Sequence, residues 1–272
     1  MSGDELRSAP AEQPSAWFLP AGILIGFAGA LCGIGGGIFA GPLLHATKKI
    51  ALKRAAATAI LVILATTTAA TTTEFLRGDS ELVWPVVLPL AAGALVGAEL
   101  GFRISKRIDE RTLKTLFAVI LLVAGVRVLL FSSGLATADL FGPNATAAVA
   151  FAIGLVGGSL TPLLGIAGGV IMVPALFLAL GHLGFGGARA AALAAGAVSA
   201  LRSLWLHARA GNISYALGLP LAGGALFGAF FGVQAAHVPA LAFGGRLLLG
   251  GILLAQSVRF WRELAASRAP RG

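Results

Sequence analysis

The sequence predicts an all-α polytopic membrane protein built from two inverted-topology repeats of about five helical segments each. Hydrophobic residues make up 57% of the 272 residues, charged residues only 11%, and the net charge is +9. A soluble domain carries about 25% charged residues, so this chain has too little polar side chain to cover a surface in water. Two long uncharged runs and an internal duplication complete the prediction.

The two uncharged runs, residues 13–47 and 140–188, contain 35 and 49 residues. One helix crosses the hydrocarbon core of a bilayer with about 20 residues, so each run is too long for a single span. Each also contains a glycine cluster, at residues 33–37 and 165–169. We therefore predict a broken helix in each run, with segments at 17–31 and 38–46 in the first and at 146–164 and 170–180 in the second.

The remaining apolar segments are long enough to be ordinary spans. They lie at residues 55–73, 82–102, 113–131, 190–208, 214–234 and 241–260. The broken helices included, we expect 8–10 transmembrane segments. The predicted organisation is an amino-terminal tail over 1–16, repeats over 17–131 and 146–261, a linker over 132–145 and a carboxy-terminal tail over 262–272.

The two halves of the chain are similar in sequence. Fourteen residues from Leu88 match fourteen from Leu219 at ten positions, and twelve residues from Gly33 match twelve from Gly165 at six. The segment Arg77-Gly78-Asp79 likewise corresponds to Ala210-Gly211-Asn212. All three matches have nearly the same separation along the chain, which indicates a duplicated unit.

The basic residues indicate the orientation of the two copies. An odd number of crossings per repeat places sixteen of the twenty Lys and Arg on the side of the amino terminus, whereas an even number gives about eleven. Positive charge accumulates on the cytoplasmic side of membrane proteins, so we predict inverted copies with both termini in the cytoplasm. The first residues lack the basic start of a signal peptide, and we expect an uncleaved protein of the cell's inner (plasma) membrane.

The glycine clusters are the candidate binding site. A broken helix in a membrane leaves backbone N–H groups that need a partner, and the start of the following half-helix carries partial positive charge. We predict that a small anion binds Gly35, Gly36 and Gly37 together with Gly168 and Gly169. The alternative is a structural kink between packed helices.

Polar side chains on the third helix of each half are the next candidates. They are Thr58 in the first half and Ser199 with Arg202 in the second. An intramembrane arginine is costly and could hold an oxyanion, although Arg202 could also extend toward the cytoplasm. Proton coupling through Glu74, Glu99, His182 or His237 is left open, but each lies near a predicted helix end, which favours a solvated position.

The sequence gives no sign of an enzyme. We predict no catalytic residues, no metal site and no cofactor, because no paired carboxylates, metal-spaced histidines or nucleophile–histidine arrangement is visible. Cys32 is the only cysteine, which excludes an internal disulfide and a thiol-transfer pair. No basic–aromatic motif suggests a nucleic-acid partner.

Several of these motifs together resemble the sulfite exporter TauE/SafE family of membrane permeases. They are the two glycine breaks, each followed by a proline (Pro42 and Pro174), the segment Arg54-Ala55-Ala56-Ala57-Thr58, the loop Arg77-Gly78-Asp79 and the segment G-A-L-V-G-A from Gly93. The resemblance runs from about residue 17 to residue 261. It implies transport of sulfite or an organosulfonate across the cytoplasmic membrane.

The sequence thus predicts a secondary transporter that moves a small sulfur anion by alternating access, with the lipid bilayer as its other partner. A passive anion channel is the first alternative, and a membrane-embedded enzyme or assembly factor is the second. Import or export, the coupling ion and the oligomeric state are left open.

Overall fold

The computed structural model describes residues 16–130 and 145–266, and all regular structure in these residues is helical. Helices of the first half are α1 (Phe18–Cys32), α2 (Gly37–Lys48), α3 (Leu52–Leu76), α4 (Trp84–Ser105) and α5 (Glu110–Leu130). Those of the second half are α6 (Thr146–Leu164), α7 (Gly169–Ala179), α8 (Gly184–Arg209), α9 (Tyr215–Ala236) and α10 (Pro239–Ala266). Both predicted helix breaks are confirmed.

Each broken helix folds back on itself as a re-entrant hairpin. The Lys48 ammonium at the end of α2 lies 5.3 Å from the ring centroid of Phe18 at the start of α1. In the second half, Ala150 near the start of α6 and Ala179 at the end of α7 belong to one buried apolar cluster. Neither hairpin therefore carries the chain from one end of the bundle to the other.

Three long helices follow each hairpin, so each half crosses the bundle an odd number of times. The chain starts α1 and α3 at one end, where α4 and α8 also finish; this end carries Lys53, Arg54, Lys106 and Arg209, and we call it the basic end. The second half starts α6 and α8 at the opposite end. The two halves consequently run in opposite directions through the bundle, as the basic residues predicted.

Glycines let the two halves approach each other closely. Helix α1 packs most extensively against α9, and α4 against α6. A Cβ atom at Gly224 of α9 would lie 2.1 Å from the Leu19 carbonyl oxygen, and one at Gly93 of α4 would lie 2.1 Å from the Phe151 carbonyl oxygen. In membrane proteins, glycines at a helix interface allow backbones to approach this closely.

The surface of the bundle is that of a multi-pass membrane protein. Five helices among the described residues are long and apolar enough to cross a bilayer: α3, α4, α6, the segment Gly181–Arg209 and α9. The exposed tryptophan and tyrosine side chains lie near helix ends, as in the interfacial belts of membrane proteins. They are Trp17, Trp205, Tyr215 and Trp261 at the basic end and Trp84 at the opposite end.

The helix bounds differ from prediction in places. Helix α3 begins at Leu52 and α8 at Gly184, several residues before the predicted 55 and 190. The charged residues Lys53, Arg54 and Arg189, used as boundaries in the sequence, therefore lie inside helices. Helix α10 continues to Ala266, into the predicted tail over 262–272. The predicted tail over 1–16 and linker over 132–145 lie almost entirely outside the described residues.

Candidate substrate site at the crossed glycine breaks

The two glycine breaks touch each other in the interior of the bundle. A Cβ atom at Gly37 would lie 2.5 Å from the Gly165 carbonyl oxygen, and one at Gly169 would lie 2.0 Å from the Gly33 carbonyl oxygen. Gly35 faces Ala167, with 2.5 Å between its Cβ position and the Ala167 Cβ. The hairpins thus cross, and the starts of α2 and α7 overlap.

Only glycine suits the first break. Gly33, Gly35 and Gly36 have φ angles of 75°, 66° and 74°, in the left-handed region where a side chain is strained. In the second break Gly165 has a φ of 63°, whereas Gly168 has a φ of −55° and is glycine because its Cβ would lie 2.5 Å from the Gly157 carbonyl oxygen.

Several backbone donors at the crossed breaks lack a backbone acceptor. Among the backbone hydrogen bonds of the described residues, none has the N–H of Gly36, Gly168 or Gly169 as its donor. The Thr66 hydroxyl is fully buried without a hydrogen-bond partner and lies 3.3 Å from the Cβ position of Gly36. Buried polar groups are nearly always satisfied, so this location has unused capacity to bind a polar group.

Polar residues of α8 border the same region. Gly196 faces the Thr67 side chain, and a Cβ atom at Gly196 would lie 3.2 Å from the Thr67 methyl carbon. Ser199 lies less than one turn further on, fully buried, with its hydroxyl 3.2 Å from that of Thr161 and 3.1 Å from the Gly196 carbonyl oxygen. Ser199 is therefore near the breaks, with its hydroxyl already bonded within the protein.

Two of the residues predicted for the site lie elsewhere. The Thr58 hydroxyl donates to the Arg54 carbonyl oxygen at 2.8 Å and accepts from the Ser214 N–H at 3.0 Å, which joins α3 to the start of α9. Arg202 pairs with Glu99 of α4 at 2.7 Å and stacks 4.4 Å from the Trp205 ring centroid, about one third exposed. Arg202 thus lies on the outer side of α8, away from the buried Ser199.

A cavity of about 550 Å³ opens at the basic end and extends to the end of α6, just before the second break. Its lining includes the cationic residues Lys53, Arg54 and Lys106, and also Leu163, two residues before Gly165. His207 on its wall places Nε2 3.0 Å from the Pro162 carbonyl oxygen, and Asn212 lies beside the other ring nitrogen. Positive charge at the mouth of a cavity attracts anions.

At the opposite end, the corresponding region is filled by charged side chains. Nη2 of Arg189 lies 2.8 Å from a carboxylate oxygen of Glu74 and 2.8 Å from one of Glu81. Nε2 of His237 lies 3.4 Å from the other carboxylate oxygen of Glu74. We call these four residues the ionic cluster.

The ionic cluster corrects the sequence prediction that Glu74 and His237 are solvated at helix ends. The side chains of Glu74 and Arg189 are each only 1% exposed, and that of His237 is 13% exposed. The prediction was wrong because α8 begins earlier than expected, which places Arg189 in the second turn of a helix. The signal in the sequence was the run of alanines after Arg189, which is typical of a packed helix. His182 is exposed, as predicted.

The ionic cluster also contains the one group of possible metal ligands found among the described residues. Glu74, Glu81 and His237 each offer one ligand atom, and these atoms lie within 4.8 Å of one another. Because the Arg189 guanidinium already bridges the two carboxylates, it supplies the positive charge that a metal ion would bring.

The re-entrant hairpins, the oppositely directed halves and the five apolar helices long enough to cross a bilayer define the chain as a polytopic membrane protein. A family model for the sulfite exporter TauE/SafE family matches residues 3–128 and 149–271, and the chain belongs to that family. The two matched segments coincide with the two halves of the fold, and they support a permease of sulfur anions. A search of curated proteins and a search of solved structures found no match.

Proposed function

We propose that this protein is a secondary transporter that moves sulfite or an organosulfonate across the cytoplasmic membrane by alternating access. The substrate binds at the crossed glycine breaks, between the starts of α2 and α7. The observation that carries the proposal is the overlap of two helix starts beside the unpartnered Thr66 hydroxyl.

The chemistry of this site favours an oxyanion. Each helix start contributes a partial positive charge and N–H donors, and Thr66 adds a hydroxyl donor. Gly33, Gly35 and Gly36 bring backbone within reach of a ligand without side chains in the way. An oxyanion with three oxygen atoms matches such a set of neutral donors.

The difference between the two ends supports alternating access. The basic end has an open cavity that extends to the end of α6, just before the second break, whereas the ionic cluster occupies the equivalent region at the opposite end. With the basic end in the cytoplasm, as the positive-inside rule favours, this is an inward-facing state of a protein in the inner membrane. Transport then requires the cavity to close and the ionic cluster to open.

Thiol labelling tests whether the two ends of the bundle differ in their accessibility to water. Leu163 lines the cavity, and its counterpart in the first repeat, Leu31, is only 7% exposed. In a Cys32→Ala background, we expect Leu163→Cys to react quickly with a water-soluble maleimide and Leu31→Cys slowly. Added sulfite should change both rates in opposite directions. Equal rates for the two cysteines, unchanged by sulfite, would contradict alternating access.

Flux through proteoliposomes tests the substrate. We expect saturable uptake and counterflow of radiolabelled sulfite or an organosulfonate, with sulfate and acetate as control anions. A passive channel would give uptake down a gradient without counterflow. Absence of flux for every anion, under pH gradients of either sign, would overturn the proposed function.

A pair of threonine variants tests the site. Thr66→Val removes a buried hydroxyl without a partner, so the protein should remain as stable or become more stable, since burial of an unsatisfied polar group costs about 1–3 kcal/mol. Its sulfite flux should nevertheless fall at least about tenfold, the equivalent of one hydrogen bond of about 1.4 kcal/mol. Thr71→Val is the matched control, because the Thr71 hydroxyl is also buried and unpartnered. Equal flux in the two variants would remove Thr66 from the site.

A further inference from the structure

The hydrogen bonds of His237 determine which of its nitrogens carries a proton. Nδ1 lies 3.0 Å from the Val233 carbonyl oxygen, which can only accept a hydrogen bond, so Nδ1 is the protonated nitrogen. In the neutral ring, Nε2 then has a lone pair and no hydrogen. That atom is buried without a hydrogen-bond partner.

The neutral form of His237 leaves two acceptors facing each other. Nε2 lies 3.4 Å from a carboxylate oxygen of Glu74 and 3.9 Å from one of Glu81. The Glu74 oxygen in question accepts the Glu81 N–H at 3.0 Å and has no hydrogen of its own when ionised. One proton placed between Nε2 and Glu74 converts this unfavourable contact into a charge-assisted hydrogen bond.

The charges of the ionic cluster also favour one added proton. Two carboxylates and one guanidinium give a net charge of −1 when His237 is neutral. Glu81 is 37% exposed and keeps part of its hydration, but Glu74 and Arg189 are each 1% exposed, and net negative charge beside buried groups favours the binding of a proton. One added proton brings the cluster to zero.

The surroundings do not supply that missing positive charge. From the segment after α3, Arg77 faces the cluster, but it forms two hydrogen bonds of 2.9 Å with Asp79 and also donates to Gln234 of α9. Hydrogen bonding to Arg77 lowers the pKa of Asp79, so the two side chains form a neutral pair. From the turn before α8, His182 is exposed, and the hairpin tip contributes the uncharged Gly33 beside Arg189.

The geometry points to a proton-binding site between His237 and Glu74, which couples the movement of one proton to that of the anion. The inference rests on the proposed function. Closure of the opposite end buries Glu74 and Arg189 and thus requires the proton to be present. Opening exposes the cluster to water and allows the proton to leave, so proton and anion cross in the same direction.

Arg189 has the role of a fixed counter-charge at this site. Its Nη2 joins the two carboxylates, and its Nη1 is buried without a partner. Because the guanidinium never loses its proton in proteins, only His237 and the carboxylates can change their charge here. The site is therefore built to accept and release a proton, with Arg189 unchanged throughout.

Proteoliposomes with an internal pH dye test the coupling. In the wild type, we expect each sulfite taken up to bring in one proton, and an inward proton gradient to drive accumulation. Glu74→Gln and His237→Gln should retain sulfite counterflow but lose both proton entry and gradient-driven accumulation. Glu263→Gln is the control, since Glu263 pairs with Lys114 and Arg259 near the end of α10, far from the ionic cluster.

The outcomes separate the proton site from the proposed function. Sulfite counterflow without proton entry in the wild type, or full coupling in both variants, would overturn the proton site and leave the transporter intact. If no anion moves at all, histidine ¹⁵N NMR still tests the site. We expect the ¹⁵N signal of His237 Nε2 to change in Glu74→Gln, and an unchanged signal would overturn the site.

Discussion

The two ends of this molecule are related by sequence and differ in their polar side chains. When the loop Arg77-Gly78-Asp79 is aligned with Ala210-Gly211-Asn212, Glu74 corresponds to His207 and Asp79 to Asn212. At the opposite end these positions take part in ion pairs, whereas at the basic end His207 and Asn212 line an open cavity. The duplicated scaffold thus has one end filled by ion pairs and one end with an open cavity lined by cationic residues.

The largest difference arises where each hairpin tip meets the neighbouring long helix. Gly33 of the first tip lies against Arg189, with its Cβ position 3.2 Å from the Arg189 Cα. Gly165 of the second tip lies against Ala56, with its Cβ position 2.5 Å from the Ala56 Cα. The backbone contacts are equivalent, but only the opposite end has a cation there to hold two carboxylates.

Replacement of Arg189 should have the largest effect. Arg189→Gln leaves Glu74 buried beside a neutral group, and removal of one partner from a buried ion pair costs about 3–5 kcal/mol. We expect a marked loss of thermal stability in detergent, and partial recovery in the double variant Arg189→Gln/Glu74→Gln. Lys106→Gln at the basic end should leave stability unchanged. A similar loss in both single variants would contradict the assigned difference between the ends.

Glycine replacements test what the two halves share. Gly224→Ala and Gly93→Ala each place a methyl group 2.1 Å from a carbonyl oxygen, and overpacking of this kind costs about 1–3 kcal/mol. Both variants should lose similar amounts of thermal stability. Gly223→Ala is the matched control on α9, because its Cβ would have no atom within 4 Å. A loss confined to one of the two interfaces would indicate that the halves are not packed equivalently.

The cationic cavity should give the smallest effect. Lys106→Gln removes one exposed charge, worth about 0–1 kcal/mol, so the KM for sulfite should rise by at most about fivefold. The increase should disappear at 1 M salt, where charges are screened beyond about 3 Å. The neighbouring Arg107, which does not line the cavity, provides the control variant Arg107→Gln. An equal effect of both variants at low salt would indicate general surface charge and no special role for the cavity.

Much of the fold could be predicted from the sequence because a membrane imposes simple rules. Span length, the two uncharged runs and the glycine clusters predicted the breaks at residues 33–37 and 165–169, and the structure has both. Helix starts were less accurate, since Arg189 was treated as the end of an apolar segment although α8 continues through it. A charged residue can be buried when its partners come from other helices, and this cannot be predicted from local composition.

The candidate site, like the fold, could be predicted only in part from the sequence. The glycines were identified because few other residues fit a broken helix in a membrane. Thr66 was one of seven threonines on α3, and periodicity alone could not indicate which hydroxyl lacks a partner. Arg202 was favoured because an intramembrane arginine is rare, but its partner Glu99 lies on α4, in the other half of the chain.

The sequence by itself determined the membrane location, the duplication, the inverted orientation and the positions of the two breaks, because these depend on composition and on the order of residues along the chain. Only the tertiary structure decided that the hairpins cross, that Thr66 faces Gly36 and that Arg189 joins Glu74 to Glu81. Those features depend on distances between segments that are far apart in the sequence. Such distances are set by the packing of whole helices, for which no local pattern in the sequence provides a signal.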